Sequence, residues 1–149
     1  MKTLQFTVPG APKGKARPRV TRMGHAYTPK DTVMYENLVR TCFMEKYPKH
    51  KPGHGSVYAS IIAYFPIAKG TSKKKIIEMA HGDLQPLKKP DVDNIIKSIL
   101  DSLNNIAYTD DSQVVGCAAT KYYSDQPRVE VVLKFQGDNT GENENEKEY

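Results

Sequence analysis

The sequence contains no tryptophan and only two cysteines, Cys42 and Cys117, among its 149 residues. The cysteines form no C-x-x-C pair and have no histidine cluster near them, which excludes a disulfide scaffold and a zinc ribbon. We expect both to be reduced thiols. Long apolar runs are also missing, since the most apolar stretch, Val57 to Ile67, is short and contains Ser60 and Pro66. With no apolar core of a secretion signal near the N-terminus, these features predict a cytoplasmic protein that does not contact a membrane.

Acidic residues are scarce in most of the chain and concentrated at its end. The 22 Lys and Arg against 17 Asp and Glu give a net charge of +5. Residues 136–149 hold five acids and one base, so residues 1–135 carry 21 bases and 12 acids, a net charge of +9. A body this basic favours a polyanionic partner, above all nucleic acid. The length predicts one domain, residues 1–135, and the tail, residues 136–149, is too polar to order itself.

Residues 13–30 contain no acid at all, and we call this segment the basic loop. Glycine and proline punctuate it, which predicts irregular structure. Together with a lysine pair further along the chain, it supplies the candidate ligands for DNA phosphates: Lys13, Lys15, Arg17, Arg19, Arg22, Lys88 and Lys89. The alternative is a merely solvated loop, which six bases without one acid make the weaker interpretation.

The hydrophobic periodicity predicts an α+β fold with a small mixed sheet of about four strands and two main helices, mainly on one face. The predicted elements are a strand at Leu4–Val8, a helix from a cap at Asp31 or Thr32 to about Tyr47, a strand at Ser56–Phe65, a short helix at Lys73–Ala80, a helix starting at Asp91 or Asp93, and a hairpin of Gln113–Tyr123 with Arg128–Phe135. The histidines show no metal-ligand spacing and are interpreted as surface residues: His25, His50, His54 and His81.

The densest group of chemically useful side chains surrounds the start of the second main helix. Asp91 and Asp93 stand two residues apart there, and Lys97 follows Asp93 by one helical turn, on the same face. The pair Asp110-Asp111 opens the next predicted strand, which could bring one of its carboxylates to the same point. Oxygen-only ligands favour Mg²⁺ or Mn²⁺ over zinc, and such ions support phosphodiester hydrolysis.

Each of these residues also has a purely structural interpretation. Asp91 and Asp93 could be ordinary acids of a helix N-terminus, and Lys97 could belong to a surface ion-pair network between Asp93 and Asp101. An isolated D-D pair is most often a polar turn. The residue types alone therefore leave metal binding and helix capping open.

Two segments resemble the RusA family of Holliday junction resolvases. One is KPDVDNIIKSILDSLNNIAYTDDSQVV, with its D-x-D-N, the lysine four residues later, an aliphatic helix and a D-D-x-Q-V strand start. The other is GKARPRVTRMGHAYTPKDTVMYENLVR, which is similar to the basic N-terminal half of phage and prophage members. The resemblance extends from about Leu4 to Phe135.

This resemblance implies a homodimeric, Mg²⁺-dependent endonuclease, bacterial or phage-encoded, that binds four-way DNA junctions and nicks two strands symmetrically during recombination and repair. It implies that Asp91, Asp93 and Asp111 are catalytic and hold the metal, with Mn²⁺ as a possible substitute. Lys97 would stabilise charge on the phosphate or the leaving oxygen, and Asp110 would be the less certain member of its pair. Two alternatives stay open at this point: a structure-specific nuclease acting on flaps or forks, and a DNA-binding module without catalytic activity.

Overall fold

The computed structural model describes residues 1–137, so the predicted acidic tail lies outside the described residues apart from Gln136 and Gly137. In the described part, three helices cover a mixed four-stranded sheet, as the α+β prediction expects. The strands are β1 (Lys2–Pro9), β2 (Arg19–Val20), β3 (Ala26–Tyr27), β4 (Val57–Pro66), β5 (Val114–Ser124) and β6 (Arg128–Phe135), and the helices are α1 (Lys30–Lys46), α2 (Lys73–Ala80) and α3 (Val92–Ser102). None of these helices is long and apolar enough to cross a bilayer.

The sheet has the strand order β1-β6-β4-β5, in which β4 pairs antiparallel with β6 and parallel with β5. The predicted hairpin of β5 with β6 is therefore wrong. The connection after Ser124 crosses the end of β4 and delivers Arg128 to the far side of that strand, opposite Tyr64. Two strand spacings amount to roughly 10 Å, which a link of three residues can span. The turn signal marked the reversal of the chain correctly but could not identify the neighbouring strand.

One face of the sheet carries the core. The alternating side chains of β1, β4 and β6 are buried against α1 and α3, which present Val39, Phe43 and Ile99 to them. Tyr108 is fully buried beside this core, and its hydroxyl donates to the Leu100 carbonyl oxygen at 2.6 Å. This contact ties the end of α3 to the chain that leads into β5, so the core positions both acidic segments.

One local prediction, the start of α1, needs correction. The helix begins directly after Pro29, not at a cap by Asp31 or Thr32. The buried Thr32 hydroxyl instead accepts a hydrogen bond from the Ala16 N–H, because the basic loop lies against the helix there. The short α2 was predicted with its observed bounds, and its Ser72 oxygen accepts from the Lys75 N–H as an N-cap.

The interpretation of the histidines as surface residues is wrong for His50. Its ring lies 5.4 to 5.5 Å from those of Phe135 and Phe43, and its Nε2 is 2.8 Å from the Ala107 carbonyl oxygen. The ring thus fills a gap between α1 and β6. Isolated sequence context gives no signal for this, because the contacts come from distant segments. Cys42 is half-buried and Cys117 exposed, and both are free thiols.

Candidate active site

Asp91 and Asp93 lie at the N-terminus of α3, as predicted. Asp91 occupies the N-cap position, yet its carboxylate makes no capping hydrogen bond. Both acids are exposed, and within residues 1–137 neither side chain has a hydrogen-bond or ion-pair partner. The capping interpretation therefore does not describe how these carboxylates are used, and their oxygens are available to an external cation.

Asp111 lies at the opposite end of α3, where a single 3₁₀ turn (Asp111–Gln113) leads into β5. Its side chain lies beside that of Asp101, two helical turns beyond Asp93, and both line one hollow. The interaction with Asp101 and burial raise the pKa of Asp111 above its ordinary value. Burial alone would raise the pKa of Asp101, but its interactions with Asp111 and Lys15 outweigh burial and lower that pKa. Two adjacent carboxylates repel each other, and a bound cation would relieve that repulsion.

Asp110 has a different role from its neighbour. Its Oδ2 accepts from the Ser112 N–H at 3.1 Å, and hydrogen bonding by the Ser112 side chain and then by this N–H lowers the pKa of the exposed Asp110 carboxyl. Asp110 therefore caps the 3₁₀ turn and is engaged by the backbone, as the polar-turn interpretation expects. Asp111 alone of the two turns its carboxyl toward α3, which distinguishes the pair structurally.

Gln113 fastens this turn to the loop before β4. Its Oε1 accepts from the Thr109 and Asp110 N–H groups at 2.9 and 3.0 Å, and its Nε2 donates to the Gly53 and Gly55 carbonyls, both at 2.9 Å. In the motif D-D-x-Q, Asp110 thus caps the 3₁₀ turn, Asp111 is the candidate site acid, and Gln113 holds the turn to the loop before β4. Sequence reasoning named Gln113 as the start of a strand and as part of the resemblance, but did not predict these hydrogen bonds.

We expect Gln113→Met to lower the free energy of unfolding by about 2–4 kcal/mol, because four half-buried backbone groups lose their partner. Thermal unfolding measures this, with the exposed Gln126→Met as a matched control that should change little. Equal melting temperatures for the two variants would show that the Gln113 network is not a stabilising feature.

Lys97 projects from α3 on the exposed side and makes no ion pair among the described residues, so the predicted network between Asp93 and Asp101 is not formed. Its charge nevertheless contributes to lowering the pKa of Asp101. Lys97, Asp101 and Asp111 line the same hollow of about 340 Å³ between α3 and the start of β5. A phosphate oxygen in this hollow would meet the ammonium and the Asp111 carboxyl together.

The basic loop forms an open groove of about 660 Å³ against the start of α3, lined by Lys13, Arg17, Lys89 and Asp91 among others. The loop is not wholly irregular, since β2 and β3 form a small hairpin that carries Arg19. Arg22 is exposed at the hairpin turn. These bases lie at the surface, as a DNA-binding role requires.

Two members of the predicted DNA-binding set have protein partners. Lys88 holds its ammonium 5.8 Å from the Tyr123 ring centroid, and its carbonyl oxygen accepts from Lys121 Nζ at 2.6 Å. Lys15 is paired with two carboxylates, Asp101 and Glu36. Sequence reasoning could not separate Lys15 from its neighbours, because Asp101 lies 86 residues away along the chain.

Gly14 allows the basic loop to approach α3 closely. A Cβ added there would lie 3.0 Å from the Cβ atoms of both Asn94 and Pro90, which cannot rotate away. We expect Gly14→Ala to push the loop from the helix and lower the free energy of unfolding by roughly 1–3 kcal/mol, as overpacking does elsewhere. Thermal unfolding checks this, and an unchanged midpoint would mean that the loop adapts without loss.

The predicted convergence of Asp91, Asp93 and Asp111 on one point is not seen. Throughout residues 1–137, no three His, Cys, Asp or Glu side chains lie together as a metal site. The physical reason is the length of α3: eight residues separate Asp93 from Asp101, beside which Asp111 lies, and at 1.5 Å per residue this amounts to about 12 Å along the axis. The oxygen-only donors nevertheless suit a hard divalent cation in type.

Comparisons with known proteins identify the family of this chain. Residues 9–134 fit the family model described as endodeoxyribonuclease RusA. The chain is also 37% identical over 142 residues to the uncharacterized protein YqaN of Bacillus subtilis (strain 168), an alignment that covers 90% of this chain and 97% of YqaN. Because the family match includes the whole of α3, the Asp110-Asp111 turn and the basic loop, the chain belongs to the RusA family of endodeoxyribonucleases, enzymes that act on branched DNA and resolve Holliday junctions.

Proposed function

We propose that this chain is a Mg²⁺-dependent nuclease that resolves four-way DNA junctions by paired symmetric nicks. The observation that carries the proposal is the distribution of charge along α3. Unpartnered carboxylates stand at its N-terminus beside a basic groove, and the Asp101–Asp111 pair stands at its other end beside Lys97. DNA phosphates held by the groove would pass an acidic surface that repels them without a cation.

Asp91 and Asp93 at the start of α3 and Asp111 beyond its other end would supply the carboxylate ligands for Mg²⁺, for which Mn²⁺ could substitute. Because the three side chains do not meet in this conformation, no single ion would contact all of them here. When bound, the ion supplies Lewis-acid stabilisation of the charge that develops on the scissile phosphate. These residues suit a divalent cation because their donors are carboxylate oxygens. Those of Asp91 and Asp93 are also exposed and have no hydrogen-bond or ion-pair partner among the described residues. Asp111 supplies a third carboxylate of the same kind beyond the other end of α3.

Lys97 would donate hydrogen bonds to the reacting phosphate or to the leaving oxygen. Its ammonium lacks an ion-pair partner in the described chain, and it lines the hollow that Asp111 also lines. A preorganised cation at such a position stabilises charge that appears only in the transition state. Flanking phosphates would be bound by Lys13, Arg17, Arg19, Arg22 and Lys89. These contacts supply affinity without recognising the base sequence of the DNA.

Two opposed strands of a junction are cut, and two copies of the chain related by a two-fold axis would present two such sites. We therefore include a homodimer in the proposal. Sedimentation at working concentration tests it, with a dimer expected and a monomer contradicting it.

A substrate panel tests the function itself. Purified protein is incubated with end-labelled four-way junction, flap, replication fork and linear duplex, each in Mg²⁺ and in EDTA. We expect paired nicks in the junction, only with Mg²⁺, and little cutting of the duplex. Comparable cutting of flaps and forks would favour the broader structure-specific nuclease. Binding to the junction without cutting under either condition would favour the non-catalytic module.

A further inference from the structure

Lys15 differs from every other base of the basic loop because its ammonium is paired with carboxylates of the protein itself. Its Nζ lies 2.7 Å from Asp101 Oδ2 on α3 and 3.4 Å from Glu36 Oε1 on α1. The three side chains are 29%, 24% and 14% exposed, so the cluster is largely removed from water. One lysine thus joins the loop to both main helices.

The cluster continues on its far side through Arg40. The Arg40 guanidinium lies 3.5 Å from Glu36 Oε2, and its Nε donates to the Ser102 carbonyl at the end of α3 at 3.0 Å. Glu36 is therefore held between two cations. This arrangement keeps α1 and α3 in a fixed relation, and it gives Lys15 a rigid acceptor rather than a mobile surface carboxylate.

Asp101 connects this cluster to the candidate site acid. Its Oδ2 accepts a hydrogen bond from Lys15 Nζ at 2.7 Å, and its side chain lines the same hollow as Asp111. The ion pair with Lys15 therefore fixes the position of the carboxylate that lies next to Asp111.

The backbone around Lys15 is docked as well. The Lys15 N–H donates to the Asn94 carbonyl, and the Ala16 N–H donates to the Thr32 hydroxyl, each at 3.3 Å. Lys13 and Arg17, on either side, are exposed. The loop is thus attached at Lys15 and presents its other bases outward.

We propose that Lys15 is a positioning residue: through Asp101 it orients the carboxyl of Asp111, and it docks the DNA-binding loop on the helix that carries the other acids. The inference rests on the proposed nuclease function. It assigns Lys15 to the support of the site and not to phosphate binding. Lys15 thereby fixes the position of loop-bound DNA relative to the carboxylates.

The test compares Lys15→Met with Lys13→Met, which removes the same charge two residues away. Partners behind a metal ligand typically account for about 10- to 100-fold in activity. We expect the single-turnover rate of junction cleavage at saturating protein and Mg²⁺ to fall about that much for Lys15→Met, with the junction Kd within about threefold of that of Lys13→Met. Lys15→Arg should restore most of the rate, because it can still pair with Asp101.

A second measurement does not depend on activity. Trypsin cleavage after Arg19, followed by mass spectrometry on the DNA-free protein, should be severalfold faster for Lys15→Met than for wild type or Lys13→Met. If Lys15→Met fails to fold, the acetylation rates of lysine amines in the wild type provide the test. We expect Lys15 to react more slowly than Lys13, and equal rates would show that Lys15 does not dock the loop.

The outcomes separate the two proposals. If the wild type does not cut the junction, the nuclease function fails whatever the trypsin result. If the wild type cuts and Lys15→Met cuts at the rate of Lys13→Met, the positioning role is wrong. A loss confined to affinity, seen as a higher Kd with an unchanged rate at saturation, would return Lys15 to the phosphate-binding set.

Discussion

Asp111→Asn is expected to reduce cleavage of a four-way junction by more than about a hundredfold, because even the residues that support a metal ligand typically account for about 10- to 100-fold. The amide oxygen carries no net charge and therefore holds a divalent cation more weakly than a carboxylate oxygen does. Binding of the junction should be unchanged or tighter, since one negative charge near the DNA phosphates is removed. Asp91→Asn and Asp93→Asn should behave alike.

Asp110→Asn is the matched control for this prediction. Asparagine retains an oxygen that can accept from the Ser112 N–H, so the cap on the 3₁₀ turn survives. Cleavage is expected to stay within a few-fold of wild type. Cleavage rates and gel-shift affinities of the two variants, measured side by side, decide the assignment. An active Asp111→Asn beside an inactive Asp110→Asn would show that the site acid is Asp110 and not Asp111.

Replacing Arg17, Arg19 and Arg22 together by glutamine is expected to weaken junction binding by at least about tenfold at moderate salt. Each phosphate contact contributes about 0.9 to the slope of log K against log salt, so the slope should become shallower by up to about 2.7. Fluorescence anisotropy over a salt series measures both quantities. These arginines are exposed, and their loss leaves the Lys15 cluster in place.

The control is the triple exchange of Lys73, Lys74 and Lys75 to glutamine on α2. It removes the same net charge from exposed positions that do not line the groove. We expect a much smaller change in affinity and slope. Equal effects of the two triple variants would mean that binding follows net charge alone and that the basic loop is not a specific contact surface.

The sequence was most informative where local patterns decide the structure. The apolar stripe of Ile95, Ile99 and Leu103 predicted α3, because residues three and four apart share a helix face, and all three are buried. The alternation in β1 and β6 likewise predicted strands with one buried face. The acids at the start of α3 were then placed correctly because the helix itself was.

Non-local relations could not be obtained in this way. The turn after Ser124 indicates a chain reversal, but only the packing of the apolar β4 into the sheet centre separates β5 from β6. The pairing of Lys15 with Asp101 joins residues from opposite halves of the chain. The proximity of Asp111 to Asp101 and not to Asp93 depends on the length of α3 and on the Gln113 network, neither of which spacing alone determines.

We propose above that this chain makes coordinated, metal-dependent cuts across a junction through the carboxylates beside α3. A supercoiled plasmid with an extruded cruciform tests it most directly, since two cuts during one encounter give linear DNA and a single cut gives a nicked circle. We expect linear product with ligatable ends in Mg²⁺, no linear product in EDTA, and none with Asp111→Asn. Linear product in EDTA, undiminished cutting by Asp111→Asn, or an uncut plasmid to which the wild-type protein is bound in Mg²⁺ would contradict it.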